Sequence, residues 1–174
     1  MRRPERLRLR PLTNADEYQA LSAHEELAQE VFEFLIGWDG QPWALFLTQV
    51  DGWRTGTDLP DGWVPATFLV AEAAGELVGR ISIRHQLNEL LLREGGHIGY
   101  GVISKFRGRG FATEMLRQSL DITRSLGIDR LLLVCDEANT ASATVIENCG
   151  GKLESVATGG PHAGSKRRYW IELP

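Results

Sequence analysis

The stretch FRGRGFATEML, from Phe106 to Leu116, sets Gly108 and Gly110 directly before a helical pattern and interleaves them with Arg107 and Arg109. A turn accounts for one glycine, and close approach of a ligand to the backbone accounts for both. The first turn of a helix carries unpaired N–H groups and a positive partial charge, so it binds an anion without a cationic side chain. Arg107 and Arg109 can add charge-assisted hydrogen bonds to the same oxygens. The chemistry that suits these residue types is the cradling of a phosphate or pyrophosphate. A P-loop requires Gly-x-x-x-x-Gly-Lys-Ser/Thr, and no such Lys pair follows these glycines. A dinucleotide fingerprint requires Gly-x-Gly-x-x-Gly after the first strand, whereas Gly108 to Thr113 lies late in the chain and ends in threonine. An Arg-Gly nucleic-acid tract needs repetition and a basic chain, and neither is present.

The elements that must position this loop can be read from periodicity. HIGYGVI before it is a strand, and Ala112, Met115, Leu116, Ser119, Ile122 and Leu126 after it lie at helical spacing, with Gly127 as C-cap. IDRLLLVCDE is a continuous apolar strand of the buried kind, and Asn139 to Cys149 a second helix stopped by Gly150-Gly151. The strand–helix–strand unit from His97 to Asp136 predicts a crossover with two parallel strands. Upstream, Leu7, Leu9 and Pro11 form a short strand. Thr13 or Asn14 caps a helix with Ala15, Tyr18 and Leu21 on one face, and a second helical piece spans about 25–36. Residues 64–71 and 77–85 read as a β-hairpin across Ala-Ala-Gly-Glu. Between Gly37 and Gly62 the pattern fails among glycines, prolines and Trp38, Trp43 and Trp53, which predicts a long loop with short helical turns or a lid over a site. KLESVA and RRYWIEL supply two last strands, joined by the Gly- and Pro-containing stretch 158–166. The expected class is α/β or α+β, a mixed, mostly antiparallel sheet of about six to seven strands with helices on both faces, in one domain over 1–174.

The 174 residues are 43% hydrophobic, enough for one domain with a real core, and 19 Lys plus Arg against 23 Asp plus Glu leave a formal charge of −4. That balance argues against a dedicated nucleic-acid or membrane-surface binder. Cys135 and Cys149 form no disulfide framework or metal-spaced cluster, and no metal is expected. MRRPERLRLR lacks the apolar core of a secretion signal, and no apolar run is long enough to span a bilayer, so the expected location is cytoplasmic.

Arg107, Gly110 and Ala112 resemble the signature of the GNAT superfamily of N-acyltransferases, Gln/Arg-x-x-Gly-x-Gly/Ala at the junction of the fourth strand and its helix. The likeness extends from about Leu7 to Ile171 and is best between His97 and Gly151. It includes Asn139, Ser142 and Gly150 on the late helix, and resembles in particular a bacterial branch with His-Ile-Gly-Tyr, Glu-Asn-Cys-Gly-Gly and Arg-Tyr-Trp-Ile segments. The resemblance implies acetyl-CoA as co-substrate. Its pyrophosphate would sit on the loop Arg107, Gly108, Arg109, Gly110, Phe111, Ala112 and Thr113. Its pantetheine arm would lie along the strand ending in Val102 and Ile103 like an added strand, near Asn139 and Ser142. It implies transfer of an acetyl group to a primary amine, on a small molecule or a peptide, by direct attack in a ternary complex, and it allows a homodimer.

One departure stands out. Many members carry a tyrosine seven residues after the Asn, as general acid for the departing thiolate, and here that position is Ile146. Tyr100 could donate instead, although a strand aromatic also serves packing. A base must free the amine of its proton. His97 is the candidate, against a histidine bonded to backbone at a strand start; Glu94 and His85 follow. Cys135 reads as a small buried hydrophobe rather than an acyl carrier. The missing tyrosine and the lack of an unambiguous base keep a non-catalytic acyl-CoA sensor open, and the phosphate logic without the family likeness leaves a nucleotide-binding regulatory module. Asp51, Asp58 and Asp61 could welcome a cationic amine or simply be solvated, and the acceptor stays open.

Overall fold

The computed structural model describes residues 6–158 and 164–174. The first five residues, with the start of the leader reading, and 159–163 of the last expected loop lie outside the described residues. Seven strands form two antiparallel sheets. β1 (Arg8–Arg10), β2 (Ala66–Ala73), β3 (Glu76–Arg84) and β4 (Ile98–Val102) make the first in that order. β5 (Arg130–Asp136), β7 (Ser165–Glu172) and β6 (Lys152–Thr158) make the second. The described residues also form four α-helices, α1 (Glu17–Ala28), α2 (Trp43–Thr55), α3 (Phe111–Ser125) and α4 (Thr140–Asn148), with short helical turns between elements.

The β2–β3 hairpin closes with Ala74 and Gly75 both at positive φ, the twist-matched two-residue turn that adjoining strands favour. The faces of β3 divide the fold. Gly79 faces α3 so closely that a Cβ there would lie 2.5 Å from the Gly101 carbonyl and 3.1 Å from the Met115 sulfur. Arg80, Ser82 and Arg84 take the opposite face, toward the chain that follows α1 and toward α2. Near β1, Arg10 forks onto Asp16, which is buried and also caps Thr13, accepting from its N–H at 2.7 Å and its hydroxyl at 2.9 Å.

Four expectations change. The helical piece over 25–36 is absent: α1 ends at Ala28, and the chain turns through Val31 at φ 59°. The buried face of α1 is Ala20, Ala23 and Leu27, and Tyr18 points to solvent at 83% exposure. The stretch 37–62 is neither a loop nor a lid at its centre, because α2 occupies it. Trp43, Phe46, Val50 and Trp53 are spaced by three, four and three residues and bury one stripe against β2, with Trp38 edge-on to Phe46 and Trp53 tilted on Trp63. The surrounding glycines and prolines hide that stripe from the sequence. The strand–helix–strand connection of β4, α3 and β5 is present, yet β4 and β5 share no ladder. Their two sheets meet at an antiparallel bridge between Gly96 and Leu133, and beyond it they part.

Candidate functional site

The parting of β4 from β5 opens a cleft of about 660 Å³, lined among others by Phe32, Tyr100, Gly108, Gly110, Asn139 and Ser142. Backbone accounting shows what faces it. On β4, the Arg84 N–H donates to the His97 carbonyl at 2.7 Å and the Ile103 N–H donates to the Val78 carbonyl at 2.9 Å. Ladder bonds alternate along a strand, so Gly99 and Gly101 also turn toward β3, and Tyr100 and Val102 turn toward the gap. The Val102 carbonyl accepts from Arg107 Nε at 3.0 Å. Both groups of Tyr100 and the Val102 N–H have no hydrogen-bond partner among the described residues and form an open strand edge. Backbone groups so placed call for a partner, and an extended, amide-bearing chain is the natural one.

At the far end of the cleft the loop reaches α3. Gly108 lies at φ +74° and Gly110 at φ +80°, and a Cβ on either would meet nothing within 4 Å. Both residues adopt a conformation that favours glycine, and the space beside them opens on the cleft. Gly110 is the N-cap of α3, its carbonyl accepting from the Glu114 N–H at 3.1 Å. The N–H groups of Phe111, Ala112 and Thr113 are the unpaired first turn of a 15-residue helix. Arg109 leans over the Phe106 ring at 5.5 Å. The Arg107 guanidinium grips Glu30 at 2.7 and 3.2 Å, which holds that carboxyl below its usual range and ties the end of α1 to the loop. The Arg107 side chain therefore already has protein partners at the cleft mouth.

On the α4 side, Asn139 caps the helix, its Oδ1 accepting from the Ser142 N–H at 3.0 Å. The Tyr100 hydroxyl reaches across the cleft to within 2.7 Å of Ser142 Oγ. Burial pushes its pKa up to about 12, so the phenol keeps its proton. Ile146, one turn beyond Ser142, is 1% exposed and belongs to the core.

His97 does not join this group. It is buried, and its Nδ1 accepts from the Leu132 N–H at 2.9 Å, which leaves the ring proton on Nε2. Burial, with Arg84 nearby, holds its pKa below the ordinary value. It bonds the two sheets at their junction and does not line the cleft, in line with a histidine bonded to backbone at a strand start. His85 shares a 2.8 Å hydrogen bond with Thr67 at the far end of β3, and Glu94 is exposed on the π-helical turn Leu91–Gly95; neither lines the cleft. Burial raises the Cys135 thiol. Ile103 is buried at the root of the loop, and Val102 and Phe111 line the cleft. The sequence reading passed over Glu30 and Phe32. The signal for Phe32 lies opposite it, in the GYG of β4: a Cβ on Gly101 would lie 2.3 Å from the Phe32 ring. Among the described residues, no group of three or more His, Cys, Asp or Glu is arranged to hold a metal, and no helix is long and apolar enough to cross a membrane.

Comparison with known proteins agrees with this geometry. A sequence profile of the acetyltransferase (GNAT) domain matches residues 6–152. A mycothiol acetyltransferase from Thermobispora bispora is 38% identical over 92 residues, 49% of this chain; the chain spans only 30% of that relative's length. Mycobacterium smegmatis RimJ in complex with CoA-disulfide superposes with a TM-score of 0.71 at 20% identity, over 95% of this chain and 81% of its own. The putative acetyltransferase yncA from Salmonella typhimurium, solved with acetyl-CoA, superposes with a TM-score of 0.65 at 14% identity, over 97% and 94%.

Proposed function

We propose that this chain, which belongs to the GNAT acetyltransferase family and has acetyl-CoA as its co-substrate, transfers the acetyl group to a primary amine by direct attack in a ternary complex. The observation that carries the reading is the continuous run of unpaired backbone groups from Tyr100 and Val102, past Gly108 and Gly110, to the first turn of α3. An extended amide chain ending in a diphosphate satisfies that run end to end. The whole of 1–174 serves as one transferase domain in this reading.

The residues fit the co-substrate as follows. The glycine loop Gly108–Gly110, with the N–H groups of Phe111, Ala112 and Thr113, takes the pyrophosphate. Arg109 supplies charge nearby. Arg107 holds the loop against Val102 and Glu30, so its contribution to the diphosphate comes through the shape of the cradle and its remaining N–H. Val102, Asn139 and Ser142 flank the arm, and Ile103, buried at the root of the loop, supports it from below rather than touching it. Bound acetyl-CoA supplies an activated thioester; the chain orients it and excludes water. Tyr100 keeps its proton beside Ser142 on the cleft wall and would serve as donor to the leaving thiolate, in place of the hydroxyl that Ile146 lacks on α4. The amine loses its proton through water rather than to His97, whose Nδ1 already accepts a backbone N–H.

The test is release of free CoA thiol from acetyl-CoA in the presence of an amine panel. Thiol release that requires an amine supports transfer. Binding of acetyl-CoA without release under any amine supports a sensing domain instead.

A further inference from the structure

A second cavity, of about 210 Å³, lies on the α2 face of the first sheet, outside the co-substrate cleft. Trp53, Trp63, Phe68 and Leu91 give it apolar walls, and Ser82 and Arg84 of β3 form its floor, with Asn88 at the side. It is well below the roughly 300–1,000 Å³ of a site for a drug-sized ligand and suits a small one.

The charge beneath it is unusual. Arg80 and Arg84 share one face of β3, and neither forms an ion pair among the described residues, the Glu33 carboxylate acting on Arg80 only at longer range. Arg80 is 4% exposed, stacks on Phe32 at 4.3 Å, and donates to the carbonyls of Gly99 at 3.2 Å and Glu33 at 2.6 Å, which leaves its buried Nε without a partner. Arg84 donates twice from Nη1, to the carbonyls of Gly95 and Gly96, each at 3.1 Å. Among the described residues, its Nε and Nη2 have no acceptor. Burial pulls Arg80 down to about 9 and lowers Arg84 as well, so both remain cationic at neutral pH in a poorly solvated place. Buried charge is costly unless it is paired, and a guanidinium fork with free N–H groups matches a carboxylate.

The position of this charge connects it to the reaction. Arg84 Nη2 would lie 3.5 Å from a Cβ on Gly99. The next residue of β4 is Tyr100, whose backbone faces the co-substrate gap. Gly99 and Tyr100 are consecutive on β4, so the guanidinium lies under the strand whose far edge borders the co-substrate gap.

We infer that the Ser82–Arg84 cavity is the acceptor subsite and that it selects an amine carrying a carboxylate and an apolar body, an amino acid of aromatic or large aliphatic type. Arg84 takes the carboxylate, the aromatic walls take the side chain, and the amine is directed toward β4. This rests on the transferase reading for the fate of the amine, though the anion subsite is testable without turnover. The same field disfavours a purely cationic amine.

The experiment measures binding of N-acetyl-L-phenylalanine and of N-acetyl-L-phenylalaninamide to the whole protein by intrinsic fluorescence, since Trp53 and Trp63 line the cavity. A charge-assisted bond of about 1.5–3 kcal/mol converts at 1.4 kcal/mol per decade to a preference for the acid of roughly tenfold to a hundredfold. Arg84→Gln should bring that ratio close to one while acetyl-CoA binds as in the parent. Phe68→Ala should weaken acid and amide together and leave the ratio intact. Equal binding of acid and amide by the parent, an unchanged ratio in Arg84→Gln, or no binding of the acid at millimolar concentration would each overturn the subsite. Thiol release is read separately with L-phenylalanine, its amide and phenethylamine. A carboxylate preference in binding with no CoA release from any of them upholds the anion subsite and overturns amine transfer.

Discussion

Gly110 and Gly127 stand at opposite ends of α3 and form a matched pair for testing the cradle. Both have positive φ, +80° and +76°, and a Cβ on either meets nothing within 4 Å. The strain of an alanine at such a position is about 1–2 kcal/mol, with no clash to add in either case. For a chain of this size each kcal/mol lowers Tm by roughly 2–4 °C, so Gly110→Ala and Gly127→Ala should melt within a few degrees of each other and of the parent. They should differ in one property. The Gly110 methyl enters the cleft beside the N–H groups of Phe111, Ala112 and Thr113, and the Gly127 methyl enters solvent. Displacing a diphosphate from one charge-assisted bond costs about 1.5–3 kcal/mol, a tenfold to hundredfold loss at 1.4 kcal/mol per decade. Isothermal titration with acetyl-CoA should show that loss for Gly110→Ala and parent affinity for Gly127→Ala. Dephospho-CoA, which keeps the diphosphate, should be rejected by Gly110→Ala to the same degree. If Gly110→Ala binds acetyl-CoA within twofold of the parent, the glycines form only a turn and the phosphate-cradle argument fails.

Tyr100→Phe should lower kcat for thiol release by tenfold or more and leave acetyl-CoA binding unchanged; equal kcat would remove the phenol from the chemistry. His97→Gln should leave the pH–rate profile of the parent in place, and loss of an alkaline-going limb near pH 6–7 would restore His97 as base. The same variant tests linkage: burial and Arg84 lower the folded pKa, so the unfolded chain takes up the proton first as pH falls. The parent should then lose stability below about pH 6.5, the free histidine value, by a step that His97→Gln lacks in denaturant melts. Asp16→Asn should destabilise by about 2–4 kcal/mol, because one of the two acceptor oxygens shared by Arg10 and Thr13 becomes an NH2 donor and Arg10 loses the charge it pairs with. The Arg10 hydrogen bonds lower the Asp16 pKa, so its contribution is full above about pH 4 and fades as pH falls through the folded value; the variant should flatten that acid limb.

The parts of the molecule legible in the sequence are those where local pattern and tertiary role coincide. FRGRGFATEML announces its loop because glycine at positive φ and a capped helix are both local facts, and Asn139 announces α4 in the same way. The hairpin is legible through Ala74-Gly75 and its alternating flanks. α2 was not legible, because its stripe of Trp43, Phe46, Val50 and Trp53 is set by packing on β2 while its flanking glycines and prolines signal a loop. The end of α1 misled for the opposite reason: the helical spacing of Leu27, Val31 and Leu35 continues past the point where Val31 turns to positive φ, and Leu35 is buried by another route.

The acceptor side was illegible for a deeper reason. Arg80 and Arg84 look like the solvated face of a strand, since alternation of charged and apolar residues ordinarily means one wet face. They become informative only when Phe32, Glu33, Trp53 and Trp63, distant in the chain, close over them and no carboxylate forms an ion pair with either among the described residues. The glycines at 99 and 101 are the local trace of that covering. Gly101 leaves room for the Phe32 ring and Gly99 for two guanidinium groups, so β4 carries small residues on one face while its edge holds the unpaired Tyr100 backbone. A strand built in this way can present a thioester at its edge and an anionic acceptor on its face. The distance between the two depends on how the Arg84 guanidinium is held beneath Gly99 by the Gly95 and Gly96 carbonyls. Widening Gly99 is then a direct probe of that spacing. Gly99→Ala places its Cβ 3.5 Å from Arg84 Nη2, ordinary contact that the fold tolerates. It should leave acetyl-CoA affinity unchanged and raise KM for a carboxylate-bearing amine more than it lowers kcat. A variant with parent KM would show that acceptor and strand face are not in register.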